Sequence, residues 1–274
     1  METVHATGPI AVLGCGKIGE ALVRGMLESG FAAPAQIRAS ARRPERAAYL
    51  QTTFGIHAGT GNAAIAGGAA VVVLALKPNL VLPILEEIRP ALAPGAVVIS
   101  LAAAISLAQM EQAAGGATAV IRAMPNTPAL IRHGMTALAR GRHVSEPQMT
   151  AAAGLFASVG RVVTVEEKHL DAVTGLSASG PAFAYMVVES MAEGGVRAGL
   201  PRDLALELAA QTIVGAGAMV LTTGEHPAKL KDNVTTPAGC TVDGLLELEA
   251  GGLRVALIKA VSRAAKRAGE LGNK

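Results

Sequence analysis

The chain of 274 residues has no tryptophan, two cysteines and only 2% aromatic residues. Single-stranded nucleic acids stack on aromatic rings, and the formal net charge is only +3, so we expect no nucleic-acid partner. Cys15 and Cys240 lie far apart, and neither belongs to a CxxC motif or a Cys/His cluster. The sequence therefore predicts no bound metal and two small, buried thiols.

Targeting signals and membrane-spanning segments are not apparent either. Residues 1–8 lack the apolar core of a signal peptide, and the apolar stretches of the second half are interrupted by Glu189, Glu193, Glu207 and Gln211. Hydrophobic residues make up 51% of the chain and charged residues 16%, which is enough apolar material for a folded core. We therefore expect a cytoplasmic protein without a membrane partner.

The sequence near the N-terminus predicts a strand, a glycine-rich turn and a helix. The apolar run Ile10–Leu13 leads into the sequence GCGKIG at residues 14–19, and apolar residues then recur at helical spacing. Gly14 permits the tight turn, Gly16 lets a pyrophosphate approach the backbone, and Gly19 allows the helix to pack closely on the strand. A lone GxGxxG motif is weak evidence, but the flanking strand and helix indicate a dinucleotide-binding Rossmann unit.

The end of the second strand, residues 36–39, distinguishes the two nicotinamide dinucleotides. NAD sites usually carry an Asp or Glu there, whereas this sequence has Ser40, Arg42 and Arg43 and no acid before Glu45. A hydroxyl and two guanidinium groups attract a 2′-phosphate. The arginines could instead be a solvated helix start, although cations are unfavourable at a helix N-terminus without an anion. We predict NADPH as the cofactor, with NADH possible but less favoured.

Strand and helix patterns keep alternating as far as residue 165. Apolar runs predict strands at residues 70–76, 96–100, 118–121, 135–139 and 161–165, and periodicity predicts helices at residues 80–88, 107–113 and 148–158. This order indicates an α/β fold with a doubly wound parallel sheet and late antiparallel additions. Its ligand crevice lies beyond the carboxyl ends of the strands, near Asn62, Lys77, Pro78 and residues 124–128. Lys77 could also simply end a strand, and Asn126 could make a local turn.

From about residue 166 the sequence becomes all helical. We therefore expect a dinucleotide-binding domain at residues 1–166 and a helical domain at residues 167–274. One of its helices is apolar except for a narrow stripe formed by Asp203, Glu207 and Gln211. A domain of this size cannot bury such helices internally, so the sequence predicts at least a homodimer.

Residues 230–243, LKDNVTTPAGCTVD, place hydroxyls and small residues in a turn ahead of an apolar helix. The first backbone N–H groups of a helix have no intrahelical partner, and with the helix dipole they can hold a small carboxylate. There is an alternative, because Thr236 before Pro237 also resembles an ordinary N-cap, and Thr241 could cap a helix one turn later. The residue types alone leave both interpretations open.

Together these features closely resemble the pyrroline-5-carboxylate reductase family over nearly the whole chain. The resemblance rests on the glycine motif and on ALKP at residues 75–78, MPNTP at 124–128, DAVTGLSASGPA at 171–182, and residues 230–243. It implies an N-terminal Rossmann domain and a C-terminal helical domain that interlocks between subunits, in dimers or larger rings such as decamers. It also implies hydride transfer from NAD(P)H to a cyclic imine, so that 1-pyrroline-5-carboxylate becomes L-proline in the last step of proline biosynthesis.

The resemblance also assigns residue roles. Thr241 is the expected catalytic residue, which orients the imine and relays a proton to the ring nitrogen. The residues expected to hold the substrate carboxylate, through backbone N–H groups or a hydroxyl, are Thr236, Ala238, Gly239, Cys240 and Thr241. The residues expected to bind the cofactor are Gly14, Gly16, Lys17, Ile18, Gly19, Ser40, Arg42, Asn62, Ala75, Leu76, Lys77 and Pro78. Ala238 and Cys240 stand where relatives often carry Gly and Ala, and Cys240 has no His or clear cation beside it in sequence to make it a nucleophile.

Two other functions stay open. One is an NADP-dependent reductase of a 2-hydroxy or 3-hydroxy acid, although the second half offers no well-placed catalytic lysine, Lys229 and Lys231 being the closest. The other is a non-enzymatic NADP-binding regulator, which would not need a carboxylate-binding turn. A six-membered imine also stays possible as substrate, because one methylene alters affinity by only about 1 to 3 kcal/mol.

Overall fold

The computed structural model describes residues 8–272, so the expectation about targeting signals in residues 1–8 falls almost entirely outside the described residues. The fold is α/β and contains an eight-stranded sheet. Its strands are β1 (Ile10–Leu13), β2 (Ile37–Ser40), β3 (His57–Gly59), β4 (Val71–Leu74), β5 (Val97–Ser100), β6 (Ala119–Met124), β7 (Gly134–Arg140) and β8 (Gly160–Thr164). The predicted fold class is confirmed.

The sheet is doubly wound, with the spatial order β3-β2-β1-β4-β5-β6-β7-β8. Strands β1 to β6 are parallel, β7 pairs antiparallel to β6, and β8 pairs parallel to β7. The two late strands therefore run against the rest of the sheet, as the sequence predicts. The direction of winding reverses between β1 and β4, and ligands of such sheets bind beyond the carboxyl ends of the strands at this point.

Twelve α-helices follow or join the strands within the described residues. They are α1 (Lys17–Glu28), α2 (Pro44–Phe54), α3 (Asn62–Ala66), α4 (Pro78–Ile88), α5 (Leu107–Ala113), α6 (Glu146–Ala157), α7 (Leu170–Val173), α8 (Gly180–Arg197), α9 (Arg202–Thr223), α10 (Pro227–Asn233), α11 (Cys240–Ala250) and α12 (Leu253–Gly272). Short 3-10 turns lie at Pro34–Gln36, Arg89–Ala91, Thr127–Ile131 and Glu167–His169, and Thr174–Ala178 forms a π-helix.

The core lies on both faces of the sheet. Along β1, Ile10 and Val12 pack into one apolar cluster, whereas Ala11 and Leu13 pack into the other. Because successive side chains of a strand point to opposite faces, such a strand must be apolar throughout, which is the pattern of a parallel strand covered by helices on both sides.

By contacts the chain separates into two compact units. The first unit runs to Ala178 and also includes the chain from Arg263 onwards, and the second is Ser179–Ser262. Residues 167–178 join the first unit because Glu167 accepts hydrogen bonds from the Arg122 guanidinium and the Leu107 N–H, at 2.8 and 2.7 Å. The division at residues 166 and 167 follows the change in sequence character and stays a prediction about domains.

The second unit leaves most of its apolar side chains exposed. Its small core is formed by Ala192, Ala205 and Ala209, where α8 packs on α9. Large apolar side chains of α9 face outwards at Leu204, Leu206, Leu208, Val214, Met219 and Leu221. By length and composition alone, the 22-residue helix α9 could also cross a membrane, although a single such helix is weak evidence for that. An apolar surface of this size indicates a partner.

Candidate active site

The glycine loop, residues 14–19, joins β1 to α1 in a conformation that requires its glycines. Gly14 has a φ of +73°, and a Cβ there would lie 2.3 Å from Leu76 Cδ2 and 3.0 Å from the Ala75 carbonyl oxygen. A Cβ at Gly19 would lie 3.2 Å from both Val12 Cγ1 and Cys15 Sγ. The loop therefore sits tightly against the ends of β1 and β4, with no room for larger residues at these two positions.

The first turn of α1 presents open hydrogen-bond donors. Within the described residues, the backbone N–H groups of Lys17, Ile18 and Gly19 donate to no protein acceptor. A Cβ at Gly16 would have no backbone or side-chain atom nearer than 3.9 Å, so the space in front of this turn is open. Free N–H groups at the positive end of a twelve-residue helix suit the pyrophosphate of a dinucleotide.

Ser40 and Asn62 form a partly buried chain of hydrogen bonds rather than an open donor pair. The Gly14 N–H donates to Ser40 Oγ (3.1 Å), and the Ser40 hydroxyl donates to Asn62 Oδ1 (2.7 Å). Asn62 Nδ2 is 3.4 Å from a carboxylate oxygen of Glu87. Since Ser40 is only 1% exposed, its hydroxyl holds the glycine loop in this structure and is not free for a phosphate. Its position at the end of β2 was predicted correctly, but this contact was not.

Two arginine side chains, Arg42 and Arg43, lie at the start of α2. Arg43 is the N-cap residue of that helix and its side chain makes no capping hydrogen bond. Neither Arg42 nor Arg43 has an acidic partner among residues 8–272, and both are exposed. Unpaired cations near a helix N-terminus are unfavourable without an anion, so this arrangement suits a phosphate.

The ALKP sequence lies where β4 passes into α4. The Ala75 N–H donates to the Leu13 carbonyl oxygen (2.9 Å), which continues the ladder between β4 and β1. Lys77 is the N-cap residue of α4, Pro78 is its first residue, and the Lys77 side chain is exposed without a capping hydrogen bond. These residues stand beside the glycine loop, because Leu76 contacts the position of Gly14.

The sequence predicts Asn126 near the crevice, but its side-chain amide forms hydrogen bonds with the protein backbone. Its Oδ1 accepts the Met135 N–H (2.8 Å), and its Nδ2 donates to the Ser177 carbonyl oxygen (3.2 Å). Both ends of the amide are therefore used to tie the MPNTP sequence to β7 and to the π-helix. These contacts are between distant parts of the chain and differ from the local turn that the sequence also allowed.

The threonine turn, residues 236–239, has a defined geometry. The Gly239 N–H donates to the Thr236 carbonyl oxygen (2.9 Å), Pro237 follows Thr236, and Ala238 has a φ of +57°. Proline second and a positive φ third are the features of a type II turn. A Cβ at Gly239 would lie 2.4 Å from Thr236 Oγ1 and 3.0 Å from the Thr236 carbonyl oxygen, so a side chain there would force the Thr236 hydroxyl to move. The positive φ of Ala238 lies in the left-handed region that glycine adopts most readily.

Backbone N–H groups without a protein acceptor in the described structure lie in this turn and at the start of α11. Within the described residues, the N–H groups of Ala238, Cys240 and Thr241 have no protein acceptor, whereas that of Gly239 is used inside the turn. The hydroxyls of Thr236 and Thr241 make no hydrogen bond with a described residue. Neither threonine caps α11, since its N-cap residue is Gly239 and no side chain caps it. Three N–H groups and two hydroxyls thus remain for a small anion.

The two cysteines differ in environment. Burial raises the pKa of the Cys15 thiol to about 12, so this side chain stays protonated and inert. Cys240 is exposed, and the expectation that both thiols are buried is wrong for it, because the first turn of α11 lies on the surface of its unit. Among residues 8–272, no group of three or more His, Cys, Asp or Glu side chains could hold a metal ion.

Arg46 is the residue that sequence reasoning missed. Its guanidinium donates to the carbonyl oxygens of Cys15 (3.1 Å) and Gly16 (3.2 Å) and to the Glu20 carboxylate (2.5 Å). The contacts join residues about thirty positions apart in the chain, and no local pattern around residue 46 signals them. Arg46 therefore stabilises the glycine loop through hydrogen bonds to its backbone.

This fold, with open donors at the glycine loop, defines a Rossmann-type oxidoreductase of the NAD(P)-dependent class. Two family models match the chain: "NADP oxidoreductase coenzyme F420-dependent" over residues 9–104, and "Pyrroline-5-carboxylate reductase dimerisation" over residues 167–271. The second model covers the helical half of the sequence.

Full-length relatives agree with these models. Pyrroline-5-carboxylate reductases of Glycine max and Escherichia coli are 42% and 36% identical to the chain, each covering 96% of it and 95% or 97% of their own length. The solved structure of the Coxiella burnetii enzyme has a TM-score of 0.92 at 34% identity and covers 97% of this chain and 99% of its own. That of Plasmodium falciparum pyrroline carboxylate reductase, with NADP bound, has a TM-score of 0.87 at 26% identity, covering 98% and 99%. The chain belongs to the pyrroline-5-carboxylate reductase family.

Proposed function

We propose that this protein reduces 1-pyrroline-5-carboxylate to L-proline with NADPH, the last step of proline biosynthesis. The observation that carries the proposal is the threonine turn, where three N–H groups and two hydroxyls at the start of α11 have no hydrogen-bond partner among the described residues. The proposal is supported by family membership over almost the entire chain. A regulator that only senses NADP has no use for such a turn.

The carboxylate of the substrate binds at the threonine turn. The N–H groups of Ala238, Cys240 and Thr241 donate to its oxygens, the Thr236 hydroxyl adds a further bond, and the dipole of α11 favours the negative charge. The Gly239 N–H shapes the turn and takes no part in binding. No side-chain cation is needed, which agrees with the absence of a well-placed lysine.

The cofactor binds at the glycine loop. The N–H groups of Lys17, Ile18 and Gly19 hold its pyrophosphate, Arg42 and Arg43 hold the 2′-phosphate, and Ala75, Leu76, Lys77 and Pro78 line the site beside Gly14. Ser40 and Asn62 act on the cofactor through the hydrogen bonds that hold Gly14. When bound, NADPH supplies a hydride from the nicotinamide ring.

Positioning carries most of the rate in this reaction. The protonated ring C=N is already electrophilic, so the enzyme chiefly has to place its carbon within about 3 to 3.5 Å of the hydride donor and exclude water. The carbon gains the hydride, the C=N π electrons pass to nitrogen, and the iminium becomes a secondary amine. We propose that the Thr241 hydroxyl orients the nitrogen and relays the proton that the imine requires.

The helical domain at residues 167–274 forms a homodimer, which closes the exposed apolar surface of α9 and assembles into a larger ring such as a decamer. The dinucleotide-binding domain is residues 1–166. The protein acts in the cytoplasm, without a membrane, nucleic acid or metal.

Thermal stability in the presence of product tests the proposal. L-Proline with NADP⁺ should raise the melting temperature, because a ligand that binds only the folded state stabilises it, by about 2.7 kcal/mol at 100 times its Kd. Pyrrolidine, which lacks the carboxylate, is the matched control and should give little shift. Equal shifts with proline and pyrrolidine would exclude the threonine turn as the carboxylate site.

A further inference from the structure

Arg46 connects α2 to the glycine loop, although it lies outside every motif of the sequence. Its guanidinium donates to the carbonyl oxygens of Cys15 and Gly16 and to Glu20 of the first turn of α1. The same guanidinium stacks 4.9 Å from the centre of the Tyr49 ring, and the Tyr49 hydroxyl donates to the other Glu20 oxygen (3.2 Å). The side chain is therefore held from several directions.

These contacts help to fix the direction in which the loop presents its donors. The peptide bonds of the described chain are trans, so the carbonyl of Gly16 points opposite to the N–H of Lys17. The Gly16 oxygen accepts hydrogen bonds from the Glu20 N–H (2.9 Å) and from the Arg46 guanidinium (3.2 Å), and the two together direct the Lys17 N–H to the opposite side, where no described residue accepts it. Arg46 does not need to touch a ligand to affect how the loop binds one.

We infer that Arg46 is a positioning residue for the dinucleotide, which preorganises the glycine loop by a guanidinium fork on the Cys15 and Gly16 carbonyl oxygens. Preorganisation lowers the cost of ordering the loop on binding and therefore acts on affinity for the cofactor. The fork geometry matters as well as the charge, because a guanidinium reaches several acceptors in one plane and an ammonium is a single point charge. The inference rests on the proposed cofactor site.

Arg24 provides the matched control. It lies on α1, donates to the same Glu20 carboxylate (3.2 Å) and stacks 5.2 Å from the Phe54 ring. It has no contact with the carbonyl oxygens of the glycine loop among the described residues. A variant of Arg24 thus disturbs the same ion-pair network without loosening the loop.

The test is the affinity for NADPH of Arg46→Ala, Arg46→Lys and Arg24→Ala, measured by fluorescence titration without substrate. We expect Arg46→Ala to bind about tenfold more weakly, the equivalent of roughly one hydrogen bond to a charged group, and Arg24→Ala to bind as the wild type does. Arg46→Lys should recover only part of the loss. At saturating NADPH, kcat with the imine should be unchanged while KM for NADPH rises.

Three results would overturn the inference. They are wild-type affinity in Arg46→Ala, an equal loss in Arg24→Ala, and full recovery in Arg46→Lys, which would leave charge alone as the cause. If Arg46→Ala does not fold, Arg46→Lys against Arg24→Ala decides the question. Because titration needs no turnover, a failure of imine reduction would be a separate result.

Discussion

Gly239 determines the shape of the threonine turn because Thr236 lies close to it. Its N–H closes the turn on the Thr236 carbonyl, and no side chain fits between it and Thr236 Oγ1. The residue that precedes it, Ala238, already holds a positive φ without the freedom of glycine. At this position the backbone conformation limits the choice of residue more than the chemistry of the ligand does.

Replacement of Gly239 by alanine should therefore weaken binding of the imine. The new Cβ would meet Thr236 Oγ1 and push apart the groups that hold the carboxylate, so we expect KM for the imine to rise at least tenfold. Gly244→Ala on the same helix is the control, because a Cβ there meets nothing within 4 Å. Steady-state kinetics of both variants check this, and a Gly239→Ala enzyme with wild-type KM would contradict it.

Thr241 is the residue on which proton transfer depends in this account. Its hydroxyl and its N–H have no hydrogen-bond partner among the described residues, and we propose that the N–H donates to the substrate carboxylate. Thr241→Ala should lower kcat/KM by about 10²-fold, within the range of general acid–base groups, and Thr241→Ser should restore most of it. Full kcat/KM in the alanine variant would exclude the hydroxyl from the reaction.

At the scale of elements, the network between α1 and α2 is the clearest electrostatic feature. Burial alone would raise the pKa of Glu20, but the hydrogen bond and charge of Arg46 outweigh it, and Arg24 and Tyr49 add to the effect, so the pKa lies below its ordinary value. The carboxylate is thus more easily protonated in the unfolded chain than in the folded one. Its contribution to stability is present above the unfolded pKa of about 4.3 and is lost as the pH falls through the folded pKa.

Glu20→Gln should accordingly lower the melting temperature at about pH 7, and the difference from wild type should shrink as the pH falls below about 4. Since Glu20 is partly exposed, we expect a loss of no more than about 1 kcal/mol. Glu86→Gln is a control, because Glu86 is exposed and forms no ion pair with any described residue. A difference that persists unchanged in acid would show that the ion pair does not cause it.

The elements that the sequence predicts are those with strong local patterns. The apolar runs of β1, β4 and β5 predict buried strands to within one or two residues, since each strand is covered on both faces. The short elements β3 and α3 were not predicted, because His57–Gly59 and Asn62–Ala66 contain too few residues to show a period. The family and its cofactor class were predicted correctly from the motifs.

The details of the sites were harder to predict because they depend on contacts between distant residues. The type of residue at position 40 does not reveal that its hydroxyl bonds Gly14 and Asn62. Likewise, the two hydrogen bonds of the Asn126 amide form only when the sheet and helices pack. The same is true of the hydrogen bonds from Arg46 to the glycine loop. Sequence patterns locate a site, whereas packing decides which of its groups are free.

At the scale of the whole molecule, the second unit requires a partner for its apolar surface. Side chains such as Val214, 61% exposed, and Met219 on α9 are unfavourable in water. The dimerisation model of the family matches residues 167–271, which include this helix. A second copy of the chain is the partner that accounts for both observations.

Charge on this surface should therefore disrupt assembly. Val214→Glu places a carboxylate in the proposed interface, and we expect it to shift the mass measured by light scattering towards that of the 27.6 kDa chain. Ala48→Glu, at an exposed position of α2 in the first unit, should leave the assembly unchanged. An unaltered mass for Val214→Glu would place the interface elsewhere.

We propose that the chain reduces a five-membered cyclic imino acid with NADPH. The most direct test follows the oxidation of NADPH with 1-pyrroline-5-carboxylate, beside the same reaction with NADH and with a series of 2-keto acids. We expect rapid turnover with the imine, none with the keto acids, and a preference for NADPH that falls when Arg42 and Arg43 are replaced by alanine. Tight binding of NADPH without turnover of any imine would contradict it and favour a regulator, and turnover of a keto acid would favour a hydroxy-acid reductase.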